Sequence, residues 1–533
     1  MALSYGVLMA LSHQCFIQSF SLEMSGLSIS DHLIFNQLVN NENIHDCEVS
    51  SDGASSTCSD IEPEFQDFEF DEFDASEREE DMEDQKNYIV SGRTWSCIAP
   101  INNNTIEFEN YSLTEKSVNI ETIDECFHLF INEQIIDTII LHTNNKAHET
   151  IPPNKKWNPV DRIEIDAILG LLLMMGRFRE SYERKTDLWR QNEALCRPFY
   201  AATMSRDRFS DILKHIRFDD YITREDRKAI DKLAPLRAIS NIFIKNCRDS
   251  YSASSIGTVD EQLVTFRGRC SFKVHMPNKP DRYGIKIFTL CDAKTFYCCN
   301  MDIYLGKIES IPEKQQAQRI VKQLTDFWRR SNRSITTNNS FTDIRLAEEL
   351  LANDIFLTGT VRKRNPDLPK ILTQTQHRQQ YSADFLFTDN LTLVSYVPKP
   401  EKCVILLSSL HHEHFISNPE NSYKPDIVNY YNTTKNSVEV FDKIVKECSC
   451  RRCTRRWPLS LFMHYVDVAA YNAFVIWITK NPTWESNNTI KVKRKLFLEN
   501  LAKRLVADNI NRRATLFENH ETTLHKCNVI NIE

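Results

Sequence analysis

Glycine is scarce in this chain, at 11 of 533 residues. No glycine-rich run precedes a helix, so the backbone cradle that nucleotide phosphates require is missing. That counts against a nucleotide-binding enzyme. Long apolar runs are also lacking. The two longest, "AILGLLLMMG" and "VAAYNAFVIWI", fall short of the ~20 apolar residues that a bilayer-spanning helix needs. The 16 cysteines follow no paired framework. The apolar start "MALSYGVLMALSHQCFIQSF" has neither the basic leader nor the small-residue cleavage site of a secretory signal. It reads as an upstream extension of the frame, with Met24 as an alternative start. These absences point to a reducing cytosolic or nuclear setting, mostly buried and inert thiols, and no membrane partner.

Charge is present in ordinary amount but unevenly placed. The net charge is −8, yet Asp60 to Asp84 alone holds 14 acids and one base. Removing its −13 leaves +5 for the rest, a mildly basic body with a strongly acidic segment. Like charges at that density repel and predict disorder. Phe65, Phe68, Phe70 and Phe73, interleaved with the acids, suit an acidic-hydrophobic segment that recruits protein partners. A solvated linker is the plainer reading of the same residues.

Hydrophobic periodicity divides the remainder of the chain. "DRIEIDAILGLLLMMGRF" opens with acids and turns apolar, the pattern of a buried helix with a favourable dipole. "MSRDRFSDILKHIRF" carries a helical stripe at Phe209, Ile212, Leu213 and Ile216. After Ser255 the period becomes two, predicting three strands with a turn near Ala293-Lys294. A helix, the strand "RSITTN", the helix "DIRLAEELLAND" and the strand "IFLTGTVR" come next. This β-β-β-α-β-α-β order predicts a mixed sheet covered by helices. Residues 363–425 read as a strand-rich insertion, and helices return to the end.

Candidate chemistry collects around one carboxylate. Asp260 sits in the middle of a predicted strand, where Asp is uncommon. Arg267, Arg269, Lys273, Lys279, Arg282 and Lys286 surround it in sequence, as expected where phosphates are brought to a metal site. Glu439 and Asp442 stand at i and i+3 on one helix face. "CSCRRCTRRWP" concentrates Arg451, Arg452, Arg455 and Arg456, a second candidate DNA-contacting run. Its cysteines have no partner pair at zinc-finger spacing. "HHEHF" at His411 is no HExxH helix and reads as a loop.

The motifs "MSRDRF", "VDEQLVTFRGRCSF", "MPNKPDRYGIKIF", "LTLVSYVPKP", "YYNTTK" and "RRWPLSLF", in this order, resemble the piggyBac family of DNA transposases over roughly residues 118 to 525. The resemblance implies an α/β fold with an RNase H-like mixed-sheet core, a β-rich insertion domain and flanking helical dimerisation and DNA-binding segments. Its expected divisions are a disordered acidic region 1–117, a helical part 118–254, core 255–362, insertion 363–425, last core helix 426–448, helical part 449–525 and tail 526–533. It also implies double-stranded DNA as partner, a homodimer, a nuclear location, and cut-and-paste chemistry at TTAA sites with two Mg²⁺ held by aspartates.

Carried over position by position, the first catalytic aspartate is Asp260, the second place is held by Asn338, the third by Glu439, and Asp442 follows. Asp260, Glu439 and Asp442 are thus the metal-ligand candidates. Arg362 in "GTVRKRNPDLP" joins the DNA-contacting candidates. The family's cysteine-rich zinc domain is not expected, since Cys527 is the only late cysteine. Asn338 is the pivotal departure. Asn suits turns and helix starts, but here an amide stands where a metal-binding charge is expected. Three readings remain open on sequence: a DNA-binding derivative with degraded catalysis, an active Mg²⁺-dependent transposase, and a non-DNA scaffold acting through its acidic segment.

Overall fold

A computed structural model describes residues 87–100, 111–190, 196–277, 279, 281–306, 315–416 and 423–516. The acidic segment Asp60–Asp84, the apolar start and the tail 526–533 lie outside the described residues.

The irregular region expected over 1–117 includes a hairpin. Strands β1 (Asn87–Val90) and β2 (Arg93–Ser96) pair antiparallel across Ser91-Gly92, and both turn residues have positive φ (49° and 78°). A two-residue turn of that hand matches the strand twist, and glycine adopts it without Cβ strain. Trp95 is fully buried, and Arg93 makes a bidentate pair with Glu348 at 2.5 and 2.6 Å. The neighbouring acidic run hid this short apolar signal in the sequence.

A small pair, β3 (Ser112–Leu113) with β4 (Tyr251–Ser252), stands apart from the main sheet. The main sheet adds β5 (Ile256–Thr265), β6 (Val274–His275), β7 (Tyr283–Asp292), β8 (Cys298–Ile303), β9 (Arg333–Thr337) and β10 (Ile355–Thr360). Strands β11 (Ala383–Phe387), β12 (Thr392–Lys399) and β13 (Lys402–Ser408) complete it. Its order is β1-β2-β11-β12-β13-β10-β9-β5-β7-β6, with β8 also on β7. The antiparallel meander β5-β7-β8 is followed by β9 and β10, each parallel to its neighbour, which is the RNase H-like arrangement. Parallel neighbours need crossovers, and helices supply both of them. The insertion's strands form no separate sheet. They extend the core sheet through antiparallel pairing of β13 with β10.

Helices α1 (Glu133–Thr150), α2 (Arg162–Arg177), α3 (Arg206–His215) and α4 (Arg237–Asp249) precede the sheet. Within and after it come α5 (Gln316–Thr325), α6 (Ile344–Leu351), α7 (Asp426–Thr434), α8 (Ser437–Glu447), α9 (Trp457–Lys480) and α10 (Ile490–Leu516). Start signals act as read: Asp161 accepts from Glu164 N–H at α2, and Asp343 accepts from Arg345 and Leu346 N–H at α6. Helix α9 is long and apolar enough to cross a membrane, but 89% of its apolar window is buried inside the protein. It is a core helix. Helix α10 lies along α2, so chain segments from either side of the sheet share one helical body.

That helix contact is close because residue 170 is glycine. A Cβ there would sit 2.7 Å from Val506 Cγ1 and 2.8 Å from the Ala502 carbonyl oxygen. In an exposed helix, replacing glycine gains stability; here overpacking reverses the sign. Gly170→Val is expected to lower unfolding stability by about 1–3 kcal/mol, read as a fall in urea midpoint at unchanged slope. An equal or higher midpoint would show that the two helices separate without cost.

Candidate active site and basic cleft

Strand β5 sends Thr258, Asp260 and Gln262 to one face, by the two-residue period of a strand. That face meets α7 and α8. Thr258 Oγ1 lies 2.6 Å from the Thr434 carbonyl and 2.9 Å from Ser437 Oγ. Gln262 Nε2 donates to Asp442 Oδ1 at 2.9 Å. Asp260 stands between these two anchors on the strand, as Glu439 does on the helix.

Parallel pairing of β9 with β5 aligns Val259 with Thr337, so the next residues, Asp260 and Asn338, stand side by side. Asn338 Nδ2 donates to Asp260 Oδ1 at 2.8 Å. Its Oδ1 is used as well, accepting from Ser340 N–H at 2.8 Å. The two bonds together fix the amide with its NH₂ toward the carboxyl group. Glu261 N–H also donates to Asp260 Oδ1, at 2.8 Å. Burial, then the adjacent Glu261 carboxylate and more weakly Glu439, push the Asp260 carboxyl up to about 8, against the Glu261 N–H and Lys279. With both donors on Oδ1, Oδ2 is left to carry the proton.

A two-metal centre needs anionic oxygens that neutralise the ions and hold them about 4 Å apart. The donor set here does not fit that requirement. Asp260 faces an amide NH₂. Asp442 is held by Gln262 and by Lys446 Nζ at 2.7 Å. Glu439 is solvent-exposed. Among the described residues, no group of three or more Asp, Glu, His or Cys is placed to hold a metal. The expected ligands Asp260, Glu439 and Asp442 therefore share a neighbourhood without forming a ligand set. Gln262 and Ser340, which hold Asp442 and Asn338, were not singled out in the sequence, since neither residue type announces itself without its partner.

Beyond the C-terminal end of β5 lies a cleft of about 1650 Å³. Arg267, Arg269, Lys273 and Arg455 line it, all four exposed, and none forms a salt bridge among the described residues. Arg451 and Arg452 also line the cleft, and with Arg456 they are half-buried and bonded to backbone carbonyls. Arg451 donates to the Thr265 carbonyl. Arg452 donates to the carbonyls of Glu180 (3.1 Å) and Glu183 (2.5 Å). Arg456 donates to the Leu213 carbonyl (3.0 Å) and the Ile216 carbonyl, closing the C-terminus of α3. Burial pushes all three guanidinium groups down, Arg456 to about 9. They are struts, because a guanidinium's five donors serve orphan carbonyls as well as phosphates. Lys286 turns to Glu261 at 3.7 Å over the Phe288 ring and does not line the cleft. Arg362 is exposed in the turn after β10, also outside the lining.

The site's pH response has a definite sign. Asp260 titrates near 8 in the folded chain and near ~3.9 when unfolded. Its contribution to stability is therefore full below about pH 4 and declines as pH rises toward 8. Asp260→Asn keeps an acceptor for both N–H donors and removes the titration. Urea midpoints between pH 4.5 and 8.5 are expected to favour the variant increasingly with pH, levelling above 8. Parallel curves throughout would remove Asp260 from that role.

Comparison with known proteins agrees with this geometry. A family model described as Transposase IS4 matches residues 124–474. Among curated human proteins, PiggyBac transposable element-derived protein 3 is 25% identical over 254 residues, 46% of this chain and 41% of that protein. The Chimeric ERCC6-PGBD3 protein is 25% identical over 254 residues, covering 23% of its length. The matched stretch thus spans less than half of either human relative. A cryo-EM structure of a piggyBac transposase synaptic complex with hairpin DNA superposes with TM-score 0.71 at 34% identity, over 76% of this chain and 84% of that one. Together with the RNase H-like sheet, these matches place the chain in the piggyBac family of IS4-type transposases.

Proposed function

We propose that this chain is a transposase-derived protein that binds double-stranded DNA in the nucleus as a homodimer and has lost efficient strand cleavage. One observation carries the loss of cleavage: the Asn338 amide, not a second carboxylate, faces Asp260. An N–H donor occupies the Asp260 oxygen that would otherwise face a second carboxylate or a cation. Replacing an anionic ligand by a neutral amide removes charge at the point where phosphate chemistry develops it. Alterations beyond the ligands themselves already cost about 10–100-fold at metal sites. Glu439 keeps the charge of the family aspartate but is one methylene longer, and small misplacements of reacting groups cost about 100-fold.

DNA binding is supported by the cleft's four exposed cations and by the solved relative, which was captured with hairpin DNA. The acidic segment Asp60–Asp84 fits a further role in recruiting protein partners.

Cleavage is tested by plasmid excision. The unaltered chain is expected to give no detectable product, and Asn338→Asp to give at most Mn²⁺-supported nicking. The repair places two carboxylates together, so it is also expected to cost about 1–3 kcal/mol of stability without divalent ions. Clean excision by the unaltered chain would overturn the proposal.

Binding is tested by salt dependence. Each phosphate neutralised contributes about 0.9 to the slope of log affinity against log salt. Arg267→Ala with Arg269→Ala is expected to reduce that slope by about 1.8 while leaving the melting temperature unchanged. Arg456→Ala is expected to lower stability instead, by about 1–3 kcal/mol for its orphaned carbonyls. An unchanged slope in the double variant would remove the cleft from the DNA-binding surface.

A further inference from the structure

One wall of the basic cleft ends in a turn, Glu180–Glu183, closed by the Glu183 N–H to Glu180 carbonyl bond at 3.0 Å. Both its ends are clamped. Arg452 donates to the carbonyls of Glu180 and Glu183. The two carboxylates share Arg197, at 2.9 Å from Glu180 and 2.6 Å from Glu183, and Tyr200 O–H donates to Glu180. Glu180 is 5% exposed, while Arg197, Glu183 and Arg452 are half-buried. Tyr182, at the tip, is 98% exposed and lines the same cleft as Arg267 and Arg269. It has no ring contact among the described residues.

This arrangement is unlike that of a loose surface loop. A buried acid, a half-buried arginine and a buried tyrosine are committed to holding four residues whose own aromatic ring is left to solvent. An exposed tyrosine alone is ordinary. A rigidly presented one, beside exposed guanidinium groups in a cleft, has the two parts of a single-strand platform: a π-face for a base and cations for its phosphates. Inside a duplex each base is stacked on both faces and only the terminal pairs leave one open, so an unpaired nucleotide offers a lone ring far more free base surface.

We infer that Tyr182 is a stacking platform for an unpaired nucleotide, and that the cleft receives single-stranded DNA, or the unpaired end of a duplex, along Arg267, Arg269 and Arg455. The inference rests on the DNA-binding reading above and narrows it to a strand state. Arg452 is then a positioning residue, acting on the ligand only through the turn it fixes.

Fluorescence anisotropy of the full chain at low salt provides the test. The probes are a 12-nucleotide oligo-dT, a blunt duplex of equal length, and the same duplex with a four-nucleotide overhang. Tyr182→Ala is expected to weaken oligo-dT and overhang binding by about 5- to 150-fold, the range for one lost base–aromatic stack. Blunt-duplex binding should be little changed, and Tyr182→Phe should bind like the unaltered chain. A 2-aminopurine placed in the overhang should be quenched by the unaltered chain and Tyr182→Phe, and not by Tyr182→Ala. Tyr182 is exposed, so equal melting temperatures of the variants are expected. Equal losses on all three probes, or no loss on any, would overturn the platform while leaving duplex binding intact. Absence of binding to every probe would instead bring down the DNA-binding reading itself, and the platform with it.

Discussion

The parallel pairing of β9 with β5 is the constraint on which the candidate site depends. Its register sets Val259 against Thr337, so that Asp260 and Asn338 become neighbours although 78 residues separate them. A slip of one residue would turn the Asp260 face of the strand to the other side of the sheet. The register is held from several directions. β5 is bonded along nearly its whole length to β7, and Thr258 and Gln262, on the same face as Asp260, tie it to the helices packed there. A side chain delivered by such a scaffold has little freedom to be misplaced, so its chemical identity decides what the site can do.

At position 338 that identity is an amide. Its oxygen turns back to Ser340 N–H and its nitrogen goes to Asp260, so it makes both kinds of hydrogen bond. The pair is self-contained. A buried carboxyl group beside a second carboxylate needs a proton or a cation; here the amide donates to Oδ1 while burial pushes the Asp260 carboxyl up to about 8. The amide at 338 therefore gives a local bond between two strands.

A similar division runs through the basic residues. The 451–456 run supplies three half-buried struts and one exposed charge. Arg451 joins the end of β5 to the segment after α8, Arg452 fixes the Glu180–Glu183 turn, and Arg456 closes α3. Arg455 faces solvent with Arg267 and Arg269. The walls of the cleft are thus held apart by arginines of the same short stretch that contributes to its lining. Buried guanidinium groups are tolerated because each finds carbonyl acceptors, and removing those acceptors' partner is costly.

The sequence by itself determined the periodic elements. The change from a 3.6 to a 2 period after Ser255, the helix starts at Asp161 and Asp343, and the motif positions of Asp260, Asn338, Glu439 and Asp442 were all legible in it, because they are local patterns or ordered motifs. It could not rank the arginines, since phosphate contact and carbonyl capping use the same donors and differ only in what lies opposite. It also missed the β1-β2 hairpin, whose burial depends on pairing with β11, far along the chain. Only the tertiary structure decided that Asn338 points its nitrogen at Asp260, that Gln262 and Lys446 hold Asp442, and that Tyr182 stands exposed at the cleft. Each is a relation between elements brought together by the fold, fixed by sheet register and helix packing and absent from any local window.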